Sequence, residues 1–384
     1  MKTRHTVYIF NSKVFLNNEC STRIIGLDIL RSIAILNVVA IHLVIVISAI
    51  LKQNLLWLPI PDGVDLFFVL SGFLIGNIFI KSLKENNNKN LSSIIKDFWI
   101  MRWFRTLPNY YWITFLVFCL NKFQMPIKNL IFLQNFYKPC GNPFPETWSL
   151  AVEEWFYIFL PIFAILFLKL TKSNLKAVII TVLLFIFISL LSRIFFYNQS
   201  ELHDFSIYLV NVRNIVLSRL DSIAFGLFGA VLYHYYPKFF FSNKNIKFII
   251  GLVIIATYTI YTNVFCMYKV IEINWFNWNF SLLISAFGIL LLFPYLIKLK
   301  VRNKFVIAFV TFTSNISYSM YLIHKTILLN LFLLIYLKLK IIPLAVLVVI
   351  YLLALYFLSY LNYSLIEKYF IKLRYKFINT SSIH

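Results

Sequence analysis

The sequence predicts an all-α protein, a polytopic helical bundle that crosses a lipid bilayer about ten times. Hydrophobic residues make up 61% of the chain and charged residues only 13%, which is far from the composition of a soluble domain. The apolar residues form runs that are long enough to span a membrane. Most of the 36 Lys and Arg residues lie in the short segments between these runs.

Ten spans are predicted, and each is an apolar run bounded by charged or turn-forming residues. They cover approximately residues 24–51, 60–82, 103–121, 147–168, 175–196, 213–235, 246–266, 276–297, 305–335 and 342–367. The first span follows a basic segment without a cleavage site, so it is expected to remain as a signal anchor. Residues 24–367 are thus the predicted transmembrane domain, and residues 1–23 and 368–384 are the tails.

The distribution of basic residues predicts the orientation of these spans. With the N-terminus inside, the cytoplasmic segments hold 24 of the 36 Lys and Arg residues and the outer segments hold 11. Membrane proteins carry such an excess in their cytoplasmic loops. Both termini are therefore expected in the cytoplasm, in a multi-pass protein of the inner (plasma) membrane. The same distribution accounts for the net charge of +22 without a nucleic-acid partner.

The first span carries three ionisable residues inside an otherwise apolar run. Asp28 and Arg31 are three residues apart, and about three helical turns separate Arg31 from His42, so the three share one face. An ionisable group in hydrocarbon is costly and usually faces the bundle interior or a wet cavity. The pattern indicates a functional site, and structural pairing with neighbouring helices is the alternative.

Spans two and three add an acid and a pair of arginines. Asp65 lies in the outer half of span two, ahead of Gly72 and Gly76, which allow another helix to approach closely. Arg102 and Arg105 share a face at the inner end of span three. Two guanidinium groups suit an anion such as phosphate, whereas extension to the membrane surface is the structural alternative.

Spans four, six and nine contain further polar residues. Glu153 and Glu154 are adjacent in span four and point about 100° apart, so one is expected inside the bundle and the other at the interface. Arg219 and Asp221 lie in span six. His324 lies in the outer half of span nine, where a hydrogen-bonded structural role is the leading interpretation. No His or Cys spacing indicates a metal site.

Six segments occur in an order that resembles a known family. They read LDILRSIAILNVVAIHL, GVDLFFVLSGFLIGN, MRWFRTLPNYY, TWSLAVEEWFY, RLDSIAFG and ISYSMYLIH. Over roughly residues 24–330 they resemble acyltransferase family 3, which includes bacterial O-antigen and polysaccharide O-acetyltransferases. The resemblance implies transfer of an acyl group from cytoplasmic acyl-CoA to a hydroxyl of an extracytoplasmic glycan.

The same resemblance implies roles for particular residues. His42 matches the essential histidine and Arg31 the arginine of the first span, while Glu153 matches the acid of span four. Arg102 and Arg105 match the pair that holds the CoA donor. Acyl-CoA, expected to be acetyl-CoA, is then a co-substrate, and no bound cofactor is expected. Some members carry a C-terminal SGNH hydrolase-like domain, which this chain is expected to lack, so a separate partner is an alternative.

Acyl transfer needs a base, a group that stabilises the oxyanion, and a grip on the donor. His42 is predicted to act as the base or as an acyl-carrying nucleophile. Arg31 is predicted to bind the donor phosphate or to stabilise the oxyanion. One of three acids is expected to hold its ring, namely Asp28, Asp65 or Glu153. The acceptor is expected to be an envelope glycan, such as lipopolysaccharide O-antigen, another polysaccharide or a lipid-linked saccharide. A transporter or flippase with charges along its substrate path is the first alternative, and a lipid-binding assembly protein the second.

Overall fold

The computed structural model describes residues 23–53, 55, 60–85, 91–121, 124–138, 143–262, 273–339 and 343–378. The structure is 86% helical, and no strand occurs within these ranges. This confirms the all-α bundle predicted from composition and apolar runs.

The helices follow one another along the chain with short connections. In order they are α1 (Ile25–Leu51), α2 (Gly63–Glu85), α3 (Leu91–Leu120), α4 (Ile127–Leu130), α5 (Trp148–Thr171), α6 (Asn174–Gln199), α7 (Phe205–Tyr208), α8 (Leu220–Tyr235), α9 (Pro237–Phe241), α10 (Lys244–Thr259), α11 (Trp275–Lys298), α12 (Lys304–Ile323), α13 (Asn330–Leu339), α14 (Leu344–Asn362) and α15 (Lys368–Ile378). Three π-turns interrupt or join them, at Leu209–Arg213, His324–Leu329 and Tyr363–Glu367.

Eight helical segments of the described chain are long and apolar enough to cross a membrane. They are Ile25–Leu51, Gly63–Glu85, Pro145–Thr171, Asn174–Gln199, Lys244–Thr262, Trp275–Lys298, Lys304–Lys338 and Leu344–Ile378. The other two predicted spans fall on α3, which carries several charged residues, and α8, which has 16 residues. The membrane-spanning character is confirmed, while the number ten and the orientation stay predictions.

Two helices begin at residues other than those predicted, because tertiary contacts hold the chain before or after the predicted start. Helix α3 begins at Leu91, well before residue 103, because Phe98 is buried against Phe79 of α2 with ring centroids 5.5 Å apart. Helix α8 begins at Leu220, after residue 213, because Arg213 lies in the preceding segment and binds Asp62. The end of the predicted span 246–266 and the start of 342–367 lie outside the described residues, as do residues 1–22 and 379–384 of the tails.

The predicted C-terminal tail begins with a helix. Helix α15 follows α14 after the π-turn at Tyr363–Glu367 and returns to α3. The rings of Phe377 and Phe104 have centroids 5.0 Å apart, and Arg374 donates to the Met101 carbonyl oxygen at 3.5 Å. The segment therefore packs against the same helix that carries Arg102 and Arg105.

Helices α2 and α8 cross through facing glycines. A Cβ atom at Gly72 would lie 1.9 Å from the Ile223 carbonyl oxygen, and one at Gly226 would lie 2.1 Å from the Val69 carbonyl oxygen. Only residues without a side chain permit such a close approach of two backbones. The predicted packing role of Gly72 is confirmed, and Gly76 faces the same helix.

Contacts between helix ends give the bundle two distinct ends. We name the end where α1 begins the inner end and the opposite end the outer end. At the inner end, Gly26 of α1 packs against Leu296 near the end of α11. Asn174 at the start of α6 donates to the Leu83 carbonyl oxygen near the end of α2, at 3.2 Å. These pairs agree with the alternating helix directions that the sequence predicts.

Candidate active site

Three arginines from two helices converge in the bundle, and we name them the arginine cluster (Arg31, Arg102 and Arg105). Arg31 of α1 lies within electrostatic range of both Arg102 and Arg105 of α3. Arg31 and Arg105 make no hydrogen bond or ion pair with any residue that the structure describes. Like charges held together in this way favour an anionic ligand. The arginine cluster is therefore a candidate anion site.

Arg102 is the member of the cluster with protein partners. Its guanidinium carbon lies 3.9 Å from the centroid of the Tyr157 ring, and its Nη2 atom lies 3.8 Å from Oε2 of Glu153. Glu153 also accepts a hydrogen bond from the Tyr157 hydroxyl at 3.1 Å, and that hydroxyl contacts Ser71 of α2. The Nε atom of Arg102 is buried without a hydrogen-bond partner among the described residues. The stacked ring and the carboxylate thus hold the guanidinium while leaving donor capacity.

Both acids of α5 face α3. Glu154 is buried and accepts a hydrogen bond from the Thr106 hydroxyl at 2.8 Å. Glu153 lies near Arg102, which precedes Thr106 by one turn of α3. Both adjacent positions on α5 therefore contact α3, while the expectation that one of the two acids lies at the membrane interface stays a prediction.

Two histidines meet in the outer half of the bundle. Nε2 of His324 lies 3.2 Å from Nδ1 of His42, and the ring centroids are 5.0 Å apart. Nδ1 of His42 also lies 2.9 Å from the carbonyl oxygen of Val38, one turn earlier in α1. Nδ1 of His324 lies 2.7 Å from the carbonyl oxygen of Tyr321. The structure therefore joins two histidines that the sequence separates by most of the chain.

One face of α1 connects the arginine cluster to this histidine pair. Arg31 and His42 lie about three turns apart, roughly 16 Å along the helix axis. Between them, Ala34, Ile35 and Val38 are buried against the rest of the bundle. The candidate anion site and an imidazole thus lie at opposite ends of one face of α1.

The chain matches a known protein family over most of its length. A family model described as an acyltransferase domain matches residues 24–364, which include the arginine cluster and both histidines. The chain belongs to acyltransferase family 3. The resemblance drawn from the six sequence segments is thereby confirmed.

Several curated proteins resemble this acyltransferase family member. The peptidoglycan O-acetyltransferase OatA of Listeria monocytogenes is 34% identical over 170 residues, which cover 38% of this chain and 25% of that protein. A Bacillus subtilis protein provisionally named a peptidoglycan O-acetyltransferase is 31% identical over 173 residues, or 39% of this chain and 25% of its own. A Staphylococcus aureus protein provisionally named an O-acetyltransferase is 27% identical over 339 residues, or 79% of this chain and 50% of its own.

These matches cover only part of each relative. The chain spans about a quarter of the Listeria and Bacillus proteins and half of the Staphylococcus protein. No solved structure matches the chain.

Asp65 and Asp221 of this family member are bound in buried ion pairs. Arg219 donates to Oδ1 of Asp65, and Ser285 donates to Oδ2 at 3.2 Å. Asp221 is paired in the same way with Arg193, and both side chains are fully buried. Such pairs fix the relative positions of helices. Here they join α2 to α8 and α11, and α6 to α8.

Asp28 is bound at the inner end. Arg23 donates to its carboxylate, and the Ser314 hydroxyl donates at 2.6 Å. Arg23 also donates to Oδ1 of Asn315 at 2.9 Å, so the group ties α1 to α12. The structure thus gives other partners to all three acids expected to hold His42, which are Asp28, Asp65 and Glu153. The ring of His42 instead contacts the imidazole of His324.

Glu367 is a residue of this region that sequence reasoning missed. It is buried in the π-turn between α14 and α15, and its Oε2 atom accepts from Ser319 at 3.1 Å and Asn109 at 3.4 Å. Its charge acts on Arg105 and Arg31. The sequence placed Glu367 at the end of the last span, where an acid is ordinary. A signal for a buried role was Asn362, another polar residue, at the end of the otherwise apolar helix α14.

Proposed function

We propose that this protein is an integral membrane O-acetyltransferase that moves an acetyl group from cytoplasmic acetyl-CoA to a hydroxyl of a cell-envelope glycan. One observation carries the proposal: a single buried face of α1 holds an arginine toward the inner end and an imidazole toward the outer end. Membership of acyltransferase family 3 supports acyl transfer. The proposed location is the inner (plasma) membrane.

The arginine cluster is the proposed site for the phosphates of the donor. Guanidinium groups bind phosphate oxygens through paired N–H donors. Arg31 and Arg105 have no hydrogen-bond partner among the described residues, and Arg102 is oriented by the Tyr157 ring. In the predicted orientation this end of α1 is nearer the cytoplasm, where acyl-CoA is available. The long pantetheine arm would then carry the thioester along α1 toward His42.

His42 is the proposed reacting side chain, and two routes use it. In direct transfer, the imidazole takes the proton of the acceptor hydroxyl, whose oxygen bonds to the thioester carbonyl carbon. The carbon–sulfur bond then breaks, and CoA leaves as a thiol with the proton from the imidazolium. In the alternative route, Nε2 of the imidazole bonds to the thioester carbonyl carbon, the carbon–sulfur bond breaks, and CoA leaves as a thiolate. The acceptor oxygen then bonds to the acetyl carbon as the carbon–nitrogen bond breaks, and the hydroxyl proton passes to the CoA thiolate. Both routes release one CoA for each acetyl group transferred.

The proposed acceptor is a glycan on the outer side of the membrane. The names of the Listeria and Bacillus relatives support a cell-wall glycan. Lipopolysaccharide O-antigen, another polysaccharide and a lipid-linked saccharide offer the same hydroxyl chemistry and are tested in the same assay. Alternatively, a separate partner protein receives the acetyl group on the outer side and passes it to the glycan.

Release of CoA by purified protein in lipid nanodiscs tests this proposal. We expect free CoA to form when acetyl-CoA and an envelope glycan fragment are both supplied, with one acetyl group added to the glycan by mass spectrometry. The His42→Ala variant is the control for hydrolysis that does not depend on the site. Transport of a substrate across the membrane without CoA release would instead support the transporter or flippase alternative and overturn the proposal.

A further inference from the structure

We infer that His324 is a positioning residue that holds His42 with its proton on Nδ1 and leaves Nε2 of His42 free to react. The inference rests on the proposed function, in which His42 is the base or nucleophile. It gives a defined role to a residue for which the sequence favoured a merely structural one.

The proton of His324 is located by a backbone carbonyl. Nδ1 of His324 lies 2.7 Å from the carbonyl oxygen of Tyr321. A carbonyl oxygen only accepts hydrogen bonds, so this Nδ1 carries a proton. A neutral imidazole with its proton on Nδ1 has a lone pair on Nε2. His324 therefore presents an acceptor atom to its neighbour.

The proton of His42 is located by two acceptors. Its Nδ1 atom lies 3.2 Å from Nε2 of His324 and 2.9 Å from the carbonyl oxygen of Val38. Since both neighbours accept, Nδ1 of His42 is the donor. The lone pair is then on Nε2, which makes no hydrogen bond to any residue that the structure describes. The free nitrogen is the one that the proposed chemistry requires.

His324 adds something that the Val38 carbonyl does not supply. In an α-helix the carbonyl of Val38 also accepts the backbone N–H four residues later, which belongs to His42 itself. When Nε2 of His42 takes a proton or an acetyl group, the ring becomes cationic, and its Nδ1–H needs a strong acceptor. The lone pair of His324 meets this need, as the aspartate does for the histidine in serine-hydrolase triads.

The surrounding structure keeps the His324 ring in place. The side chain is fully buried, and the residue begins the π-turn His324–Leu329. Its carbonyl oxygen accepts a hydrogen bond from the Tyr351 hydroxyl of α14 at 3.1 Å. Within the π-turn, the Thr326 backbone N–H donates to Oε1 of Glu146 at 2.9 Å. Because π-turns are frequent at functional sites, this interruption of an apolar helix fits a positioning role.

Two substitutions of His324 separate its acceptor role from its volume. His324→Gln keeps an acceptor oxygen near the position of Nε2, whereas His324→Leu removes the acceptor but fills the space. We expect His324→Leu to lower kcat at least about tenfold, since general base catalysis is worth about 10²–10⁴-fold. The KM for acetyl-CoA should stay unchanged, and His324→Gln should lose less. His234→Gln, at the other end of the bundle in α8, is the matched control.

Nitrogen-15 NMR of histidine-labelled protein reads the tautomer directly. The wild-type His42 signals, assigned by their loss in His42→Ala, should show a protonated Nδ1 and a bare Nε2. The His324→Leu variant should show an added population with the proton on Nε2. All variants are compared per folded molecule, with thermal melting as the check on folding.

Two results would overturn the inference. One is an equal loss of kcat in His324→Gln and His324→Leu with an unchanged His42 tautomer, which is the result of a purely structural role. The other is a wild-type His42 with its proton on Nε2. If the tautomer shifts as expected but wild-type protein releases no CoA with any glycan, the hydrogen-bond assignment stands and the proposed function fails.

Discussion

The guanidinium of Arg102 and the carboxylate of Glu153 face each other between α3 and α5, with Nη2 and Oε2 3.8 Å apart. This distance is too long for a paired, two-point ion pair, whose N–H···O contacts are about 2.7–2.9 Å. Arg102 is therefore held near its carboxylate and over Tyr157 without being fully engaged. A phosphate can bind the remaining donors of the Arg102 guanidinium.

Arg102→Ala and Arg105→Ala should each weaken acetyl-CoA binding while the protein remains folded in the membrane. A hydrogen bond to a charged group contributes about 1.5–3 kcal/mol, so Kd should rise roughly tenfold to a hundredfold. Titration calorimetry on protein in nanodiscs measures this change. Arg302→Ala, which removes an exposed arginine between α11 and α12, is the control for lost charge.

Arg105→Lys should restore binding only in part. An ammonium group provides the charge but not the planar fork of a guanidinium. Wild-type Kd values in both alanine variants would instead show that these arginines only anchor α3 near the membrane surface.

His42→Ala should abolish acetyl transfer while acetyl-CoA still binds. The two ends of the site are roughly 16 Å apart on α1, so loss of the imidazole leaves the arginine cluster intact. His42→Gln should be nearly as inactive, because an amide does not accept a proton. The measurement is CoA release per folded molecule, together with Kd for the donor. More than about a tenth of wild-type activity would conflict with a base, whose removal usually costs on the order of a hundredfold or more.

Asp65→Asn should destabilise the protein more than it slows transfer per folded molecule. The substitution leaves the buried guanidinium of Arg219 without its counter-charge, which typically costs about 3–5 kcal/mol. The double variant Asp65→Asn, Arg219→Gln should recover part of that stability. Thermal melting and CoA release, measured on the same preparations, separate the two effects. Normal stability with lost transfer would return Asp65 to the catalytic role that the sequence assigned to it.

Gly226→Ala should lower the melting temperature markedly, whereas Gly229→Ala should not. A methyl group at Gly226 meets the Val69 carbonyl oxygen at 2.1 Å, and backbone atoms can only yield by moving α2 from α8. At Gly229 the nearest atom is Cδ1 of Leu290, the end of a flexible side chain, at 2.4 Å. Overpacking of a rigid contact costs about 1–3 kcal/mol. Equal melting temperatures would show that the two helices do not cross at these glycines.

Cysteine labelling from the two sides of the membrane tests the orientation. A cysteine placed at Glu85 should react only from the cytoplasmic side, and Cys140, which lies outside the described residues, only from the outer side. The expectation follows from the excess of Lys and Arg in the inner segments. The other native cysteines are first replaced. Labelling of both positions from one side would rule out the ten-span arrangement.

Helical periodicity was enough to predict which face of α1 carries its ionisable residues. Asp28, Arg31 and His42 recur at helical spacing, and each faces the bundle interior because hydrocarbon excludes charge. The partners of these residues were not predictable in the same way. The histidine that contacts His42 is 282 residues away in the chain, and the arginine that binds Asp65 is 154 residues away.

The acid that was expected beside His42 shows why the partners between helices were not predictable. One sequence gives the face of each helix but not which faces meet, so any acid in a neighbouring span was a candidate. The π-turn at His324–Leu329 was equally hidden, because it changes the direction of side chains without interrupting the apolar run. Glu367 was overlooked because it lies at the predicted end of the last span, where charged residues are common.

The distance between Arg31 and His42 sets a minimum length for the donor that the proposed site can use. A molecule must grip phosphates at one end and still reach the ring at the other, which an extended pantetheine arm does and a small donor such as acetyl phosphate does not. If the arginine cluster binds the phosphates as proposed, nucleotide fragments of CoA without that arm should bind there as well. Such fragments should inhibit transfer by competing with acetyl-CoA, without contacting the imidazole.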